Sequence, residues 1–99
     1  MKVNIQSLHF DADKKLLNHI EEKVNKLNHF YDAIIGTEVT LKLEKSKSTD
    51  NKIAEIKLQI PGNDLFAKRQ CTTFEEATDT AVEALKKQIK KRKEKVRGL

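Results

Sequence analysis

The sequence predicts an α+β fold, a two-layer sandwich in which two helices pack on one face of a four-stranded sheet, in the order β-α-β-β-β-α. Four short segments alternate apolar and polar residues, as half-buried strands do. Two longer segments repeat apolar residues every three or four positions, as amphipathic helices do. The length agrees, because 99 residues suffice for one domain with a single modest core.

The first half of the chain predicts a strand, a helix and a second strand. Val3 and Ile5 alternate with polar residues, as in a short strand. Asp13 is a good N-cap for a helix over residues 14–31. The apolar stripe of that helix comprises Leu16, Leu17, Ile20, Val24, Leu27 and Tyr31. A second strand is predicted over residues 37–45. Its core-facing residues are Val39, Leu41 and Leu43.

The middle of the chain predicts a hairpin. Residues 53–60 alternate again, and the core-facing residues are Ile56, Leu58 and Ile60. In the stretch PGND that follows, Pro61 presets the backbone torsion of a turn and Gly62 can adopt positive φ. The fourth strand, over residues 65–72, is therefore expected to run antiparallel to the third.

The second helix is predicted from residue 74 to about residue 97. Thr73 and Glu76 have the spacing of a capping box at its start. Its apolar stripe comprises Ala77, Ala81, Leu85 and Ile89. Acidic residues dominate the first turns and basic residues the last turns, which matches the helix dipole at both ends. The dipole accounts for one or two of these bases without any function.

Positive charge is concentrated at the end of this helix. Residues 86–99 carry eight bases and one acid, a charge of +7, whereas the other residues carry twelve bases and fourteen acids, a charge of −2. Like charges three and four residues apart destabilise an isolated helix, so the excess of bases over residues 86–97 indicates a polyanionic partner. A helix of roughly 35 Å exceeds strands of about 17–27 Å, so its last two or three turns are expected to project past the sheet.

The sequence offers no motif for catalysis or metal binding. His9, His19 and His29 are too scattered for a ligand set, and the chain has no glycine-rich phosphate loop or nucleophile motif. The single cysteine, Cys71, is better explained as a small half-buried hydrophobe. Neither a membrane-spanning run nor a signal peptide is evident. We therefore expect a cytoplasmic protein that is not an enzyme, that needs no metal, cofactor or small-molecule substrate, and that is monomeric when free.

Two segments carry a resemblance to a known family. The first, HIEEKVNKLNHFYDAI, has two spaced lysines, an aromatic pair and an aspartate, and the second is TTFEEATDTAVEALKKQIKKRKEK. Together they resemble the short ribosome hibernation promoting factors, relatives of ribosome-associated inhibitor A in the sigma-54 modulation protein family. The resemblance covers residues 1–97. It departs from the family pattern at Thr73, where an aspartate is usual, and at Glu75, where a tyrosine is frequent.

This resemblance implies a single ribosome-binding domain over residues 1–99, without the C-terminal dimerisation domain of the longer factors. Such a domain would bind the small ribosomal subunit at the decoding region, against 16S rRNA phosphates near the A and P sites. It would block mRNA and tRNA binding and inhibit translation in stationary phase or stress. A separate ribosome modulation factor would be a further partner.

The resemblance also implies which residues contact RNA. Gln88 is expected as a hydrogen-bonding residue. The expected phosphate contacts are Lys23, Lys26, Lys87, Lys91, Lys93 and Lys95. The charge distribution alone adds Lys86, Lys90, Arg92 and Arg97. The aromatic pair Phe30–Tyr31 raises a base-stacking hypothesis, although Tyr31 continues the apolar stripe of its helix and is better explained by core packing.

Two other functions are consistent with the sequence. A general double-stranded RNA-binding domain has a related sandwich, but such domains usually have a basic helix start, whereas this second helix starts with acids. A module for an acidic protein partner would bind without any dependence on RNA.

Overall fold

The computed structural model describes residues 2–8, 10–44 and 49–96, the last three of them through their backbone only. The elements follow the predicted order. They are β1 (Lys2–Leu8), α1 (Lys14–Phe30), β2 (Gly36–Leu43), β3 (Lys52–Gln59), β4 (Leu65–Cys71) and α2 (Phe74–Val96). The boundaries predicted for the five elements from α1 to α2 are correct to within one or two residues, and residues 45 and 97, where two of these elements were expected to end, lie outside the described residues.

The four strands form one mixed sheet in the order β1-β2-β3-β4. β1 and β2 are parallel and are joined through α1, whereas β2–β3 and β3–β4 are antiparallel pairs. α2 packs on β3 and β4 and lies beside α1. Residues from both helices and from the inner face of the sheet form one buried cluster, which includes Ile20, Leu85 and Ile56. The predicted α+β sandwich is confirmed.

The start of α1 is fixed by its cap. The Asp13 carboxylate accepts a hydrogen bond from the Leu16 amide at 2.8 Å, which satisfies one of the free amides of the first turn. The helix ends at Phe30, and Tyr31 is its C-cap. The buried residues are Leu16, Ile20, Val24 and Leu27, all on the predicted stripe.

The start of α2 uses half of the predicted capping box. The Thr73 hydroxyl accepts a hydrogen bond from the Glu76 amide at 3.0 Å. The Glu76 carboxylate instead accepts a hydrogen bond from the Thr72 hydroxyl at 3.1 Å. Below this cap the predicted stripe is buried. Its fully enclosed members are Ala77, Ala81, Leu85 and Ile89.

The turn between β3 and β4 forms as predicted, with Gly62 at φ +96°. One core prediction is wrong: Leu43 is 42% exposed, although Val39 and Leu41 on the same strand are buried. Leu43 is the last residue of β2 and pairs with Lys52 at the rim of the sheet, where little of the core extends to cover it. Within the described ranges, no helix is both long enough and apolar enough to cross a bilayer.

Candidate nucleic-acid interface

The two helices run in the same direction, so their ends meet at one end of the sandwich. His19 Nε2 lies 2.9 Å from Asp79 Oδ1, and further along both helices Lys93 Nζ lies 2.7 Å from the Phe30 carbonyl oxygen. The β3–β4 turn is at this same end, because the Arg92 guanidinium donates to the Pro61 carbonyl. We call this end, comprising α2 residues 86–93 with the last turn of α1 and the β3–β4 turn, the basic end.

Three lysines of the basic end are directed towards solvent. Lys87, Lys90 and Lys91 are exposed, and none of them forms an ion pair with a side chain in the described part of the chain. Residues three and four apart on a helix are neighbours, with β carbons about 5–6 Å apart, so these three lie together on the outer side of α2. We call them the lysine stripe. Three flexible ammonium groups so placed can each donate to a phosphate oxygen.

Two neighbouring residues are already engaged within the protein. The Lys86 ammonium lies 3.3 Å from the Glu83 carboxylate, one turn earlier on α2. The Gln88 amide donates to the Phe66 carbonyl of β4 at 2.9 Å. This second bond ties the flank of α2 to the edge strand of the sheet, so Gln88 helps to fix the direction in which the lysine stripe points.

Arg92 and Lys93 attach the C-terminal part of α2 to neighbouring elements on both of its sides. Arg92 donates to the Pro61 carbonyl of the β3–β4 turn, and Lys93 donates to the Phe30 carbonyl at the end of α1. Ile89, one turn earlier on the same helix, is fully buried. At residues 92 and 93 the helix therefore rests on the β3–β4 turn and on the end of α1, so this part of the expected projection is in contact with the rest of the protein, and residue 97 lies outside the described residues. The strands are short, but the turn and the end of α1 extend the surface on which the helix rests.

The two lysines of α1 differ in their surroundings. Lys23 Nζ lies 3.9 Å from Asp79 Oδ1, in the acidic half of α2, where His19 also contacts Asp79. Lys26 is exposed and lies one turn nearer the basic end, between Lys23 and Phe30. Lys26 is thus the α1 lysine that is placed to extend the lysine stripe across to the first helix.

Two predicted contacts cannot be placed. Lys95 belongs to the last turn of α2, but its side chain, like the whole of Arg97, lies outside the described residues. The structure therefore brings together seven of the eleven predicted RNA-contacting residues at the basic end. They are Lys86, Lys87, Gln88, Lys90, Lys91, Arg92 and Lys93.

Arg69 is a basic residue near the stripe that the sequence reasoning omitted. It lies exposed on β4 and, with Lys87 and Gln88, lines an open cavity of about 510 Å³ between this strand and α2. The cavity also contains the carboxylates of Asp79 and Glu83, so its charge is mixed. Strand alternation was the available signal, because Arg69 follows Leu65 and Ala67 on the helix-facing side of β4.

The face of the sheet that points away from the helices has a different electrostatic character. Lys42 and Lys68 lie 3.0 Å and 3.9 Å from the Glu55 carboxylate, and Lys57 lies 3.5 Å from Asp64. Lysines with such close acidic neighbours have much of their local field cancelled. The basic end is therefore the stronger candidate for binding a polyanion. Among the described residues, no group of three or more His, Cys, Asp or Glu side chains could hold a metal ion; His9 lies outside them.

Comparison with known proteins gives concordant matches. The family model described as "Sigma 54 modulation protein / S30EA ribosomal protein" matches residues 3–97. The ribosome hibernation promoting factor of Pseudomonas putida is 31% identical over 99 residues, which cover 100% of this chain and 93% of that protein. The ribosome hibernation promotion factor of Bacillus subtilis is 29% identical over 98 residues, but this chain spans only 50% of its length.

A solved structure has the same fold. The ribosomal subunit interface protein of Coxiella burnetii superposes with a TM-score of 0.83 at 18% sequence identity, over 94% of this chain and 98% of that one. At this identity the likeness concerns the fold alone. None of the names attached to these matches denotes an enzyme.

Proposed function

Because the chain belongs to the sigma-54 modulation protein / S30EA ribosomal protein family, we propose that it is a cytoplasmic ribosome hibernation factor. It binds the small ribosomal subunit at the decoding region, excludes mRNA and tRNA, and inhibits translation in stationary phase or stress. It acts as one ribosome-binding domain, monomeric when free, and a separate ribosome modulation factor is a further proposed partner.

The lysine stripe is the observation that carries this proposal. Three exposed lysines lie on one side of a helix whose flanks are held to β4, to the β3–β4 turn and to α1. A rigid basic helix suits a groove lined with phosphates, because its charges need little ordering when they meet the backbone and they read no base sequence. The rRNA contacts proposed on this basis are the stripe itself with Lys26, supported by Lys23, Lys86, Gln88, Arg92, Lys93 and Lys95.

Co-sedimentation with purified ribosomal subunits over a series of salt concentrations tests the proposal. We expect one copy to pellet per small subunit, little to pellet with the large subunit, and the affinity to fall steeply with salt because counterions are released from the RNA. Bound tRNA and mRNA should prevent the interaction. Equal, non-saturating pelleting with both subunits would overturn the assignment.

The same experiment distinguishes a ribosome-specific factor from the alternative, a general double-stranded RNA-binding domain. Such a domain binds duplexes largely by shape, so a short RNA duplex would compete with the small subunit at comparable concentration. A ribosome-specific factor should be displaced by tRNA and not by that duplex. The acidic start of α2, with Glu75 and Glu76 exposed, favours the ribosome-specific function.

A further inference from the structure

Phe30 is an aromatic residue whose side chain does not pack in the hydrophobic core. It ends α1, its side chain is 39% exposed, and it is absent from the cluster of buried residues and from the side chains packed against that cluster. Its neighbour Tyr31 does pack against the core. The two members of the aromatic pair therefore have different surroundings, and core packing explains only Tyr31.

A lysine from the other helix fixes the surroundings of this ring. Lys93 Nζ lies 4.8 Å from the centroid of the Phe30 ring and 5.7 Å from that of Tyr31. The same ammonium donates to the Phe30 carbonyl at 2.7 Å. A cation over a ring face is attracted by the ring quadrupole, and a cation at the last carbonyls of a helix is favoured by the helix dipole. Phe30 is thus held in place while much of its surface stays open to solvent.

Lys93 retains the capacity to bind an anion in this arrangement. An ammonium group has three N–H donors, and the Phe30 carbonyl takes one of them. The described residues supply no carboxylate within ion-pair distance of Lys93. A half-open aromatic ring and a cation with free donors thus lie within 5 Å of each other, at the end of α2 that carries the lysine stripe.

We propose that Phe30 and Lys93 form a site for one unpaired nucleotide of RNA, whose base stacks on the Phe30 ring and whose phosphate binds the Lys93 ammonium. The base must be unpaired because both of its faces are occupied within a duplex. Charge complementarity favours RNA as the occupant, since Lys90 and Lys91 extend the positive surface from Lys93 along the helix. This inference rests on the proposed function, and it adds a stacking contact to an interface otherwise made of phosphate contacts.

The absence of tryptophan from the chain allows a direct test. Phe30→Trp places one fluorophore at the proposed site, and Phe66→Trp places one at a comparably exposed phenylalanine, 51% exposed, on the opposite face of the sheet. Both variants are titrated at low salt with single-stranded oligoadenylate and with an RNA duplex of equal length. We expect single-stranded RNA to quench Phe30→Trp and leave Phe66→Trp unchanged, and we expect the duplex to bind without quenching either.

Binding of oligoadenylate without any change in Phe30→Trp emission would overturn the proposal, as would equal quenching of both variants. Quenching of Phe30→Trp by polyglutamate and not by RNA would identify an acidic protein surface as the occupant and would equally overturn it. These outcomes are independent of the proposed function, which is tested by small-subunit co-sedimentation of the unmodified protein.

A second variant measures the contribution of the ring. Phe30→Leu keeps an apolar side chain and removes the π face, and leucine is a good helix former. We expect about tenfold weaker binding of single-stranded RNA, the usual scale for loss of one base stack. The salt dependence should stay unchanged because no charge is altered, and Phe66→Leu should bind as the unmodified protein does. Unaltered affinity of Phe30→Leu, with thermal unfolding unchanged, would refute the stacking contact.

Discussion

Neutralising the lysine stripe should weaken RNA binding without weakening the fold. The variant replaces Lys87, Lys90 and Lys91 by glutamine, which preserves helix propensity while removing three charges. All three side chains are exposed and none has an acidic partner among the described residues, so no ion pair within that part of the chain is lost. Two of their spacings, three and four residues, bring like charges together, so their removal should leave the melting temperature equal or slightly higher.

The size of the binding effect follows from counterion release. Each phosphate contact contributes a slope of roughly −0.7 to −0.9 in log K against log salt, so three lost contacts make the slope shallower by about 2 to 3. Over a fourfold rise in salt, the unmodified protein should lose about 20- to 40-fold more affinity than the variant. Co-sedimentation with small subunits at four or five salt concentrations measures both slopes.

A matched control has the same change in net charge at the other end of the sandwich. Lys14 and Lys15 begin α1 and Lys52 begins β3, far along the sheet from the β3–β4 turn. Replacing these three by glutamine should leave the salt slope unchanged. If the control variant makes the slope of log K against log salt as shallow as the stripe variant does, binding depends on net charge alone, and the assignment of an interface to α2 is refuted.

Two further predictions concern what holds the interface in place. Thr78 is fully buried and its hydroxyl has no hydrogen-bond partner within the described ranges, so Thr78→Val should raise the free energy of unfolding by about 1–2 kcal/mol. Thr37 is equally buried but has an interaction partner, so Thr37→Val should lower the free energy of unfolding by about 1 kcal/mol. Thermal denaturation of the two variants tests this pair of predictions. Stabilisation by both substitutions, or by neither, would contradict them. Arg92→Met removes the bond to the Pro61 carbonyl and should lower the unfolding free energy by about 1 kcal/mol. Because Arg92 is also proposed as a supporting rRNA contact, the salt slope should become shallower by about one; an unchanged slope would show that Arg92 only holds the helix in place.

Periodicity was sufficient to predict the fold because each element has one face in the core. The stripe from Leu16 to Leu27 and the alternation through Ile56 and Leu58 are both buried as expected. The errors lie where an element reaches the rim of the sandwich. Leu43 has the correct facing but lies at the end of its strand, and periodicity contains no information on how far the core extends along an element.

The sequence was sufficient to locate the basic end, but not to distinguish the basic residues that contact the rest of the protein from those directed towards solvent. Adjacent residues such as Lys91 and Arg92 are chemically similar, and their different environments depend on contacts with residues distant in the chain. Arg92 binds a carbonyl 31 positions away and Lys93 one 63 positions away. Such contacts depend on how α2 rests against the β3–β4 turn and against α1, which local patterns do not specify.

The division of roles resolves the energetic difficulty of so many like charges on one helix. Lys86 is offset by Glu83, and Arg92 and Lys93 are offset by carbonyl oxygens of the turn and of α1, so part of the positive charge is used to hold the helix down. The repulsion that remains falls on the lysine stripe, where the helix is already anchored by the burial of Leu85 and Ile89. A free helix of this sequence would fray under its own charge, whereas the docked helix can present three exposed ammonium groups, which no described carboxylate pairs, in a fixed direction. Binding a polyanion would relieve that repulsion and so stabilise the unmodified protein. The stripe variant lacks the repulsion, so the free variant should already have part of that added stability.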